Sequence, residues 1–214
     1  MNDQVKQIFT SLFTQYPALT VCQDAIEQAF LILQTCYQNK GKLLICGNGG
    51  SAADAEHIVG ELMKGFMLKR PLSTEQRTKL TTLFPADGDY LADHLQGALP
   101  AIALTGQLAL STAFLNDVAG DMVFAQQVYG YAQPTDALLA ISTSGNSKNV
   151  LNALKVAKAL GVKTIGLTGQ HGGQMNKLCD VVVRVPAGEV YVIQEYHLPV
   201  YHTLCRMLEV EFFG

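Results

Sequence analysis

The chain has 214 residues, 49% of them hydrophobic, and a formal net charge of −3. This length suits one α/β domain with a sizeable core, and the lack of a basic excess disfavours a nucleic-acid partner. The five cysteines are odd in number and form no C-x-x-C pair, which disfavours a disulfide framework and a zinc finger. The chain has no uninterrupted run of about 18 apolar residues, so the sequence predicts neither a membrane partner nor a signal segment. We therefore expect a single cytoplasmic domain.

Apolar residues at helical spacing open the chain. The pattern occupies residues 5–13, is interrupted at Pro17 and resumes over residues 26–37. It predicts an N-terminal helical hairpin within residues 1–40, packed on a main domain that covers residues 41–214.

Five short apolar runs without polar alternation follow, a pattern typical of buried parallel strands. They occupy residues 42–46, 101–104, 137–141, 164–167 and 181–185. Helical patterns alternate with these runs, which predicts an α/β fold with a doubly wound, five-stranded parallel sheet of the flavodoxin-like kind. Ligands bind at the carboxyl ends of the strands in such sheets, so we expect chemistry in the loops after Cys46 and Ile141.

The segment of residues 69–100 is more polar than its surroundings. It contains a predicted capping box from Ser73 to Gln76 and a short helical pattern over residues 91–95. We interpret this segment as an insertion near the site.

The first loop reads Cys-Gly-Asn-Gly-Gly-Ser over residues 46–51 and runs directly into a helix-forming stretch. Glycines at such a turn let backbone N–H groups approach an anion at the positive end of a helix. The alternative is that Gly49 and Gly50 only form a tight turn. The pattern is neither G-x-G-x-x-G nor G-x-x-x-x-G-K-[ST], which disfavours dinucleotide and P-loop nucleotide sites.

The second loop reads Ser-Thr-Ser-Gly-Asn-Ser over residues 142–147, again before a helix. Several hydroxyl groups beside the free N–H groups of a helix start form a suitable cradle for a phosphate monoester. The alternative is ordinary N-capping, which needs one of these hydroxyls rather than four.

Two polar clusters lie on predicted helices. His57 and Glu61 are four residues apart on the helix after the first loop, so they share one face, either as site residues or as a surface pair. The C-terminal helical stretch carries a second set, comprising Gln194, Glu195, His197 and His202. For His202 alone, a structural histidine is the ordinary interpretation.

The two loops, together with Gly-Leu-Thr-Gly at residues 166–169 and Ile-Gln-Glu at residues 193–195, resemble the phosphoheptose isomerase branch of the sugar isomerase (SIS) family. The similarity covers nearly the whole chain except the predicted insertion. It implies an aldose-ketose isomerase that converts sedoheptulose 7-phosphate to D-glycero-D-manno-heptose 7-phosphate through an enediol. The alternatives within the family are an isomerase of another phosphosugar and a non-catalytic regulator of the kind that binds a bacterial replication initiator.

The resemblance also implies roles for individual residues. Glu61 is the implied base and His202 the implied acid. The phosphate is assigned to Ser142, Thr143, Ser144 and Ser147. The rest of the substrate is assigned to Asn48, Gly49, Gly50, Ser51, Glu61, Asn116, Asp117 and Gln194.

Zinc is the implied cofactor, with His57, Glu61, Gln194 and His202 as ligands, a nitrogen and oxygen set that suits this metal. Gln194 and His202 lie about 12 Å apart along a straight helix, so they share a metal only from opposite sides or from different subunits. Metal binding also lowers the basicity of Glu61, so its two implied roles are in tension.

Two departures from the family pattern bear on substrate identity. Many relatives have an arginine shortly after the His-x-x-x-Glu pair, where this chain reads Lys-Gly-Phe over residues 64–66, and Asp-Arg where this chain has Tyr191 and Val192. The family is tetrameric with sites at subunit boundaries, which implies a homotetramer. The hairpin has more apolar surface than a small sheet edge requires, which predicts that its apolar faces are buried between subunits.

Overall fold

The computed structural model describes the whole chain from Met1 to Gly214. The strands are β1 (Leu43–Cys46), β2 (Ala101–Ala103), β3 (Ala137–Ile141), β4 (Lys163–Thr168) and β5 (Val181–Arg184). The helices are α1 (Asp3–Gln15), α2 (Gln23–Gln38), α3 (Gly50–Met63), α4 (Thr74–Leu83), α5 (Gly88–His94), α6 (Leu108–Asp117), α7 (Val123–Tyr131), α8 (Lys148–Ala159), α9 (Met175–Leu178) and α10 (Val190–Phe213). Short 3₁₀ helices occupy Pro17–Cys22 and Gly120–Met122.

The five strands form one parallel sheet in the order β2-β1-β3-β4-β5. The order reverses at β1 and β3, where Leu43 pairs with Ala137 of β3 on one side and with Ala101 of β2 on the other. The prediction of a doubly wound, flavodoxin-like sheet is confirmed. The loops after β1 and β3 lie next to each other at the carboxyl edge, where such sheets bind ligands.

The core lies in two layers, one on each face of the sheet, because successive side chains of a strand point to opposite faces. Leu43 and Ile45 of β1 pack into the layer formed with α1, α2, α3 and α10. Leu44 and Cys46 pack into the layer formed with α7, α8 and α9. Burial on both faces explains why the strands read as unbroken apolar runs.

The N-terminal hairpin packs within its own chain. Val5 and Phe9 of α1 and Ile26, Phe30 and Leu33 of α2 are buried. Helix α1 packs on α10, and α2 packs on α10 and β5. The prediction that these apolar faces are left for a subunit interface is therefore wrong, because the 24-residue helix α10 covers them.

Part of the exposed apolar surface of the chain lies on α6. This helix has no buried residue although most of its residues are apolar, and Leu108 and Leu115 are 76% and 69% exposed. None of the helices is both long and apolar enough to cross a membrane.

Residues 69–100, the predicted insertion, contain α4 and α5. The capping box predicted at the start of α4 is confirmed, since Ser73 and Gln76 cap each other reciprocally. The two helices pack on each other and are joined by ion pairs of Arg77 with Asp89 and Asp93. The segment also packs on the chain that follows α3, where the N–H of Gly65 donates to Gln96 Oε1 at 2.7 Å.

Candidate active site

The glycine loop after β1 is shaped by its neighbours. Gly49 has φ +57, a left-handed conformation that favours glycine, and as the N-cap residue before α3 it supplies no side-chain cap. At Gly50 a Cβ atom would collide with the side-chain amide of Gln194, so the absence of a side chain lets α10 approach the loop. Asn48 is bonded through reciprocal amide contacts of 2.8 and 2.9 Å to Asn149 of α8. These contacts join the two predicted loops.

The serine loop after β3 keeps its hydroxyls near the start of α8. The Oγ atoms of Ser142 and Ser147 lie 3.0 Å apart, and Ser144 Oγ accepts from the N–H of Asn146 at 3.2 Å. Ser147 occupies the N-cap position but makes no capping bond through its side chain. The hydroxyl of Ser147 therefore does not act as an ordinary N-cap of α8.

A second glycine loop, residues 169–174, braces the serine loop from the side of β4. Gly145 has φ +65, and a Cβ there would collide with the carbonyl of Gly172. The N–H of Gln174 donates to Asn146 Oδ1 at 3.0 Å. The serine loop is thus fixed by backbone packing and by Asn146 while Ser144 stays exposed.

Asn116 and Asp117 lie at the end of α6, exposed, with the amide of Asn116 donating to Asp117 at 2.7 Å. No hydrogen bond joins them to the two loops. The nearby Asp121, however, is paired at 2.6 Å with Lys148, the residue that follows Ser147. This ion pair brings the segment that follows α6 close to the serine loop.

His57, Glu61 and His202 come together where α3 and α10 pack side by side. Nε2 of His57 lies 3.3 Å from Glu61 Oε1 and 3.4 Å from Nε2 of His202. Glu61 is 14% exposed at its side chain, and its Oε2 atom is buried without a hydrogen-bond partner. The nearest cation to that oxygen is Lys64 Nζ at 3.6 Å.

His202 borders a cavity of about 320 Å³ that is also lined by Tyr16, Phe66 and Arg206. Burial, followed by the neighbouring His57, lowers the pKa of His202 below its usual value. The pair of Glu61 and His202 therefore combines an acceptor oxygen with an imidazole that a small molecule can reach.

Gln194 lies apart from these three side chains. It contacts Gly50 at the start of α3, whereas His57 is seven residues, or about 10 Å, further along the helix. His197, on the same helix, is fully buried, and neither ring nitrogen makes a hydrogen bond. Burial lowers its pKa to about 4, offset in part by the nearby backbone of Thr168. His197 is a core residue.

The chain alone holds no group of three or more histidine, cysteine, aspartate or glutamate side chains arranged to bind a metal. Two of the three separations among His57, Glu61 and His202 suit a zinc ion, but the third is too long. Ligands of a tetrahedral zinc ion with bonds of about 2.0–2.2 Å lie roughly 3.3–3.5 Å apart, a separation matched by His57 to Glu61 and by His57 to His202. Glu61 and His202 form no ion pair within 4.0 Å, so the triangle is open on its third side.

The loop that follows Glu61 is held by a fully buried ion pair. Arg70 Nε lies 2.8 Å from Glu209 Oε1, and both side chains are 0% exposed. The Arg70 guanidinium also donates to the carbonyl groups of Glu61 and Leu62 at the end of α3. Sequence patterns did not indicate this pair, because its members are 139 residues apart.

The carboxylate of Glu209 also accepts from three consecutive backbone N–H groups, those of Phe66, Met67 and Leu68. Burial alone would raise the pKa of Glu209, but the N–H groups of Phe66 and Met67 and the Arg70 guanidinium together hold it below its usual value. The pair therefore anchors α10 to the chain that carries Glu61.

The model of the SIS domain family matches residues 13–87 and 88–169 of this chain. The chain belongs to the SIS domain family. It is 41% identical to the phosphoheptose isomerase of Aliarcobacter butzleri over 207 residues, which cover 97% of this chain and 96% of that protein. A phosphoheptose isomerase of Rhodospirillum rubrum is 36% identical, with 98% and 97% covered.

Solved structures agree with these relatives. The phosphoheptose isomerase of Francisella tularensis superposes with a TM-score of 0.72 at 32% identity, covering 98% of this chain and 99% of the other. That of Neisseria gonorrhoeae gives a TM-score of 0.70 at 32% identity, with 95% and 97% covered. The resemblance to the phosphoheptose isomerase branch is confirmed, and the chain is an enzyme of the isomerase class.

Proposed function

We propose that this enzyme interconverts a ketose phosphate and an aldose phosphate, with sedoheptulose 7-phosphate as substrate and D-glycero-D-manno-heptose 7-phosphate as product. The observation that carries the proposal is the convergence of Glu61 and His202 on His57 beside an open cavity. Relatives at 36–41% identity over nearly the full chain are named for a heptose phosphate, which supports the choice of substrate.

Ketose-to-aldose conversion moves one proton from C1 to C2 of the sugar. Glu61, with an unpartnered carboxylate oxygen, takes the proton from C1, while His202 donates a proton to the carbonyl oxygen at C2 to give the enediol. The O1 hydrogen is then removed and C2 receives a proton, which yields the aldehyde. No atom is gained or lost over the reaction.

The phosphate group is assigned to the hydroxyls of Ser142, Thr143, Ser144 and Ser147. Support comes from the uncapped start of α8 and from the glycine loop that holds Gly145 in place. The sugar hydroxyls are assigned to the glycine loop after β1, with Asn48, Gly49, Gly50 and Ser51, and to the exposed pair of Asn116 and Asp117. Gln194, in contact with Gly50, belongs to this group.

Zinc is the proposed cofactor, with His57, Glu61 and His202 as ligands and Gln194 as the fourth. The nitrogen and oxygen donors suit zinc, and His57 Nε2 lies at the separation expected between zinc ligands from both Glu61 Oε1 and His202 Nε2. When bound, zinc supplies Lewis-acid stabilisation of negative charge on a substrate oxygen. The position of Gln194 at Gly50 favours a fourth ligand that comes from a second subunit.

We also propose a homotetramer in the cytoplasm. The serine loop and Glu61 are separated by about the length of α3, so a site shared between copies would bring the two parts together. The uncovered apolar helix α6 supports association. The cysteines are all free, as expected in a reducing compartment.

A panel of seven-, six- and five-carbon ketose phosphates tests the reaction and the substrate together. Purified enzyme is incubated with each compound, with and without added zinc, and aldose formation is followed. Fastest conversion of the heptulose phosphate is expected. Faster conversion of a shorter sugar would show that the substrate is another phosphosugar, in line with the departures from the family pattern at Gly65 and Tyr191. Binding without conversion of any compound would favour the non-catalytic regulator.

A further inference from the structure

The hydroxyl of Tyr201 lies between a carboxylate and an imidazole. It donates to Asp54 Oδ1 at 3.2 Å and lies 3.0 Å from Nδ1 of His57. Tyr201 is 1% exposed, and its ring packs edge-on against the His57 ring with centroids 5.5 Å apart. Neither Tyr201 nor Asp54 has a role in the reaction as described above.

Counting protons fixes the direction of these contacts. A tyrosine hydroxyl has one proton, and here that proton is directed to Asp54. The hydroxyl can then only accept from His57, so the Nδ1 atom of the imidazole carries its hydrogen.

The reverse direction is unfavourable because of Asp54. Its Oδ2 atom is buried and already lacks a hydrogen-bond partner. If the Tyr201 proton pointed to His57, both oxygens of Asp54 would be unpaired, and leaving a buried acceptor unsatisfied costs the full desolvation penalty of that group.

We infer that Tyr201, oriented by Asp54, is a positioning residue that holds His57 in the Nδ1–H tautomer, with the Nε2 lone pair directed at Glu61 and His202. This role rests on the proposed function, in which that lone pair binds a cation beside the substrate. In the metal-free protein the repulsion between that lone pair and the Glu61 oxygen 3.3 Å away is outweighed by the pairing of the buried Asp54 carboxylate, and a cation between the two atoms would remove the repulsion. The relay from Asp54 therefore prepares His57 to accept a cation before any ligand arrives.

Nitrogen NMR of the metal-free protein tests the tautomer directly. The full chain is labelled with ¹⁵N-histidine, treated with a chelator and measured in alkaline buffer, where imidazoles are neutral. The His57 signals are assigned by their loss in His57→Asn. We expect hydrogen on Nδ1 in the wild-type protein.

Two variants should move that hydrogen to Nε2. In Tyr201→Phe the Nδ1 atom loses its acceptor, so the hydrogen is expected to pair with Glu61 from the other side of the ring. In Asp54→Asn the negative charge that attracts the tyrosine proton is lost, so that proton is expected to turn to Nδ1 and the imidazole hydrogen to move to Nε2, where Glu61 accepts it. Tyr196→Phe is the control, because Tyr196 lies on the same helix and its hydroxyl makes no hydrogen bond to the site.

Zinc titration of the same proteins gives a second measurement. Loss of an outer-shell partner typically weakens metal affinity by about 10- to 100-fold, and this loss is expected for Tyr201→Phe and Asp54→Asn but not for Tyr196→Phe. Hydrogen on Nε2 in the wild type, or the wild-type tautomer retained in both site variants, would overturn the inference. A wild-type Nδ1–H tautomer in a protein without isomerase activity would uphold the relay and overturn the proposed function.

Discussion

The two halves of the site are built in different ways. The hydroxyl groups of the serine loop come from six consecutive residues, which are braced by residues 169–174 after the next strand, and together these form the proposed phosphate cradle. The cluster of His57, Glu61 and His202 exists only because α3 and α10, far apart in sequence, pack side by side. Local sequence dictates the first half, whereas the second depends on the packing of the whole helical layer.

Under the proposed function the two halves of the site have separate tasks. A cradle of hydroxyls and backbone N–H groups binds a phosphate without changing its protonation, so it contributes affinity. In the proposed mechanism the carboxylate and the imidazole of the helix cluster transfer protons, so this half would contribute rate. Changes in one half should therefore leave the task of the other largely intact.

The largest effect is expected for the proton-transfer groups. Glu61→Gln and His202→Asn should each lower turnover by about 10²- to 10⁴-fold, because general acid–base groups contribute that much to rate. Sugar-phosphate affinity and the unfolding midpoint should be close to those of the wild type. Steady-state kinetics and calorimetry measure the two quantities separately.

The double variant sharpens this prediction. Because both groups serve one sequence of proton transfers, its loss should be far smaller than the product of the two single losses. Full multiplication of the two losses would show that Glu61 and His202 act in independent steps.

A second large effect is expected for the buried pair that anchors α10. Glu209→Gln leaves the Arg70 charge unpaired in the core, which should lower the free energy of unfolding by about 3–5 kcal/mol. Urea denaturation measures this change. The matched control is Arg77→Ala, which removes an exposed arginine with two acidic partners and should leave the denaturation midpoint nearly unchanged. Equal losses in both variants would contradict the distinction.

The same contrast explains what the sequence predicted. The strands and both loops were predicted because unbroken apolar runs and glycine or serine clusters are local signals. The ties from Tyr201 to Asp54 and from Arg70 to Glu209 left no signal, because their partners are 147 and 139 residues apart and meet only when α10 packs. Asn149 was missed because its partner, Asn48, lies in the other loop.

The hairpin shows the same limit from another side. Periodicity identified the apolar faces of α1 and α2, but a sequence pattern does not say which surface covers an apolar face. In the structure that surface belongs to α10.

An effect of intermediate size is expected in the pH dependence of the free energy of unfolding, because of His197 in α10. Burial lowers the pKa of His197 to about 4, below the unfolded value of about 6.5, so the unfolded chain binds the proton more readily. Stability is therefore complete above about pH 6.5 and falls by about 3 kcal/mol as the pH drops towards 4.

His197→Leu should remove that part of the pH dependence, because leucine does not titrate. Urea denaturation of both proteins between neutral pH and pH 4 measures the difference. His94→Asn, at an exposed histidine of α5, should keep the wild-type slope. An unchanged slope in His197→Leu would contradict the assignment of His197 to the core.

The smallest effect is expected in the serine loop. Replacing Ser142 and Ser144 together with alanine should weaken sugar-phosphate binding by at least about tenfold, since two hydroxyl donors to an anion are lost. The fold should persist because backbone contacts brace the loop. Calorimetry with the substrate measures the affinity. An unchanged affinity would contradict the assignment of the phosphate to this loop.

Exchange of the C1 proton of sedoheptulose 7-phosphate with deuterated solvent tests the central claim most directly, because it reports proton abstraction itself. Wild-type enzyme with zinc is expected to exchange the proton at the rate of turnover or faster, and Glu61→Gln is expected to lose the exchange while still binding the sugar phosphate. A wild-type protein that binds the sugar phosphate with zinc present but never exchanges its C1 proton would contradict the isomerase mechanism.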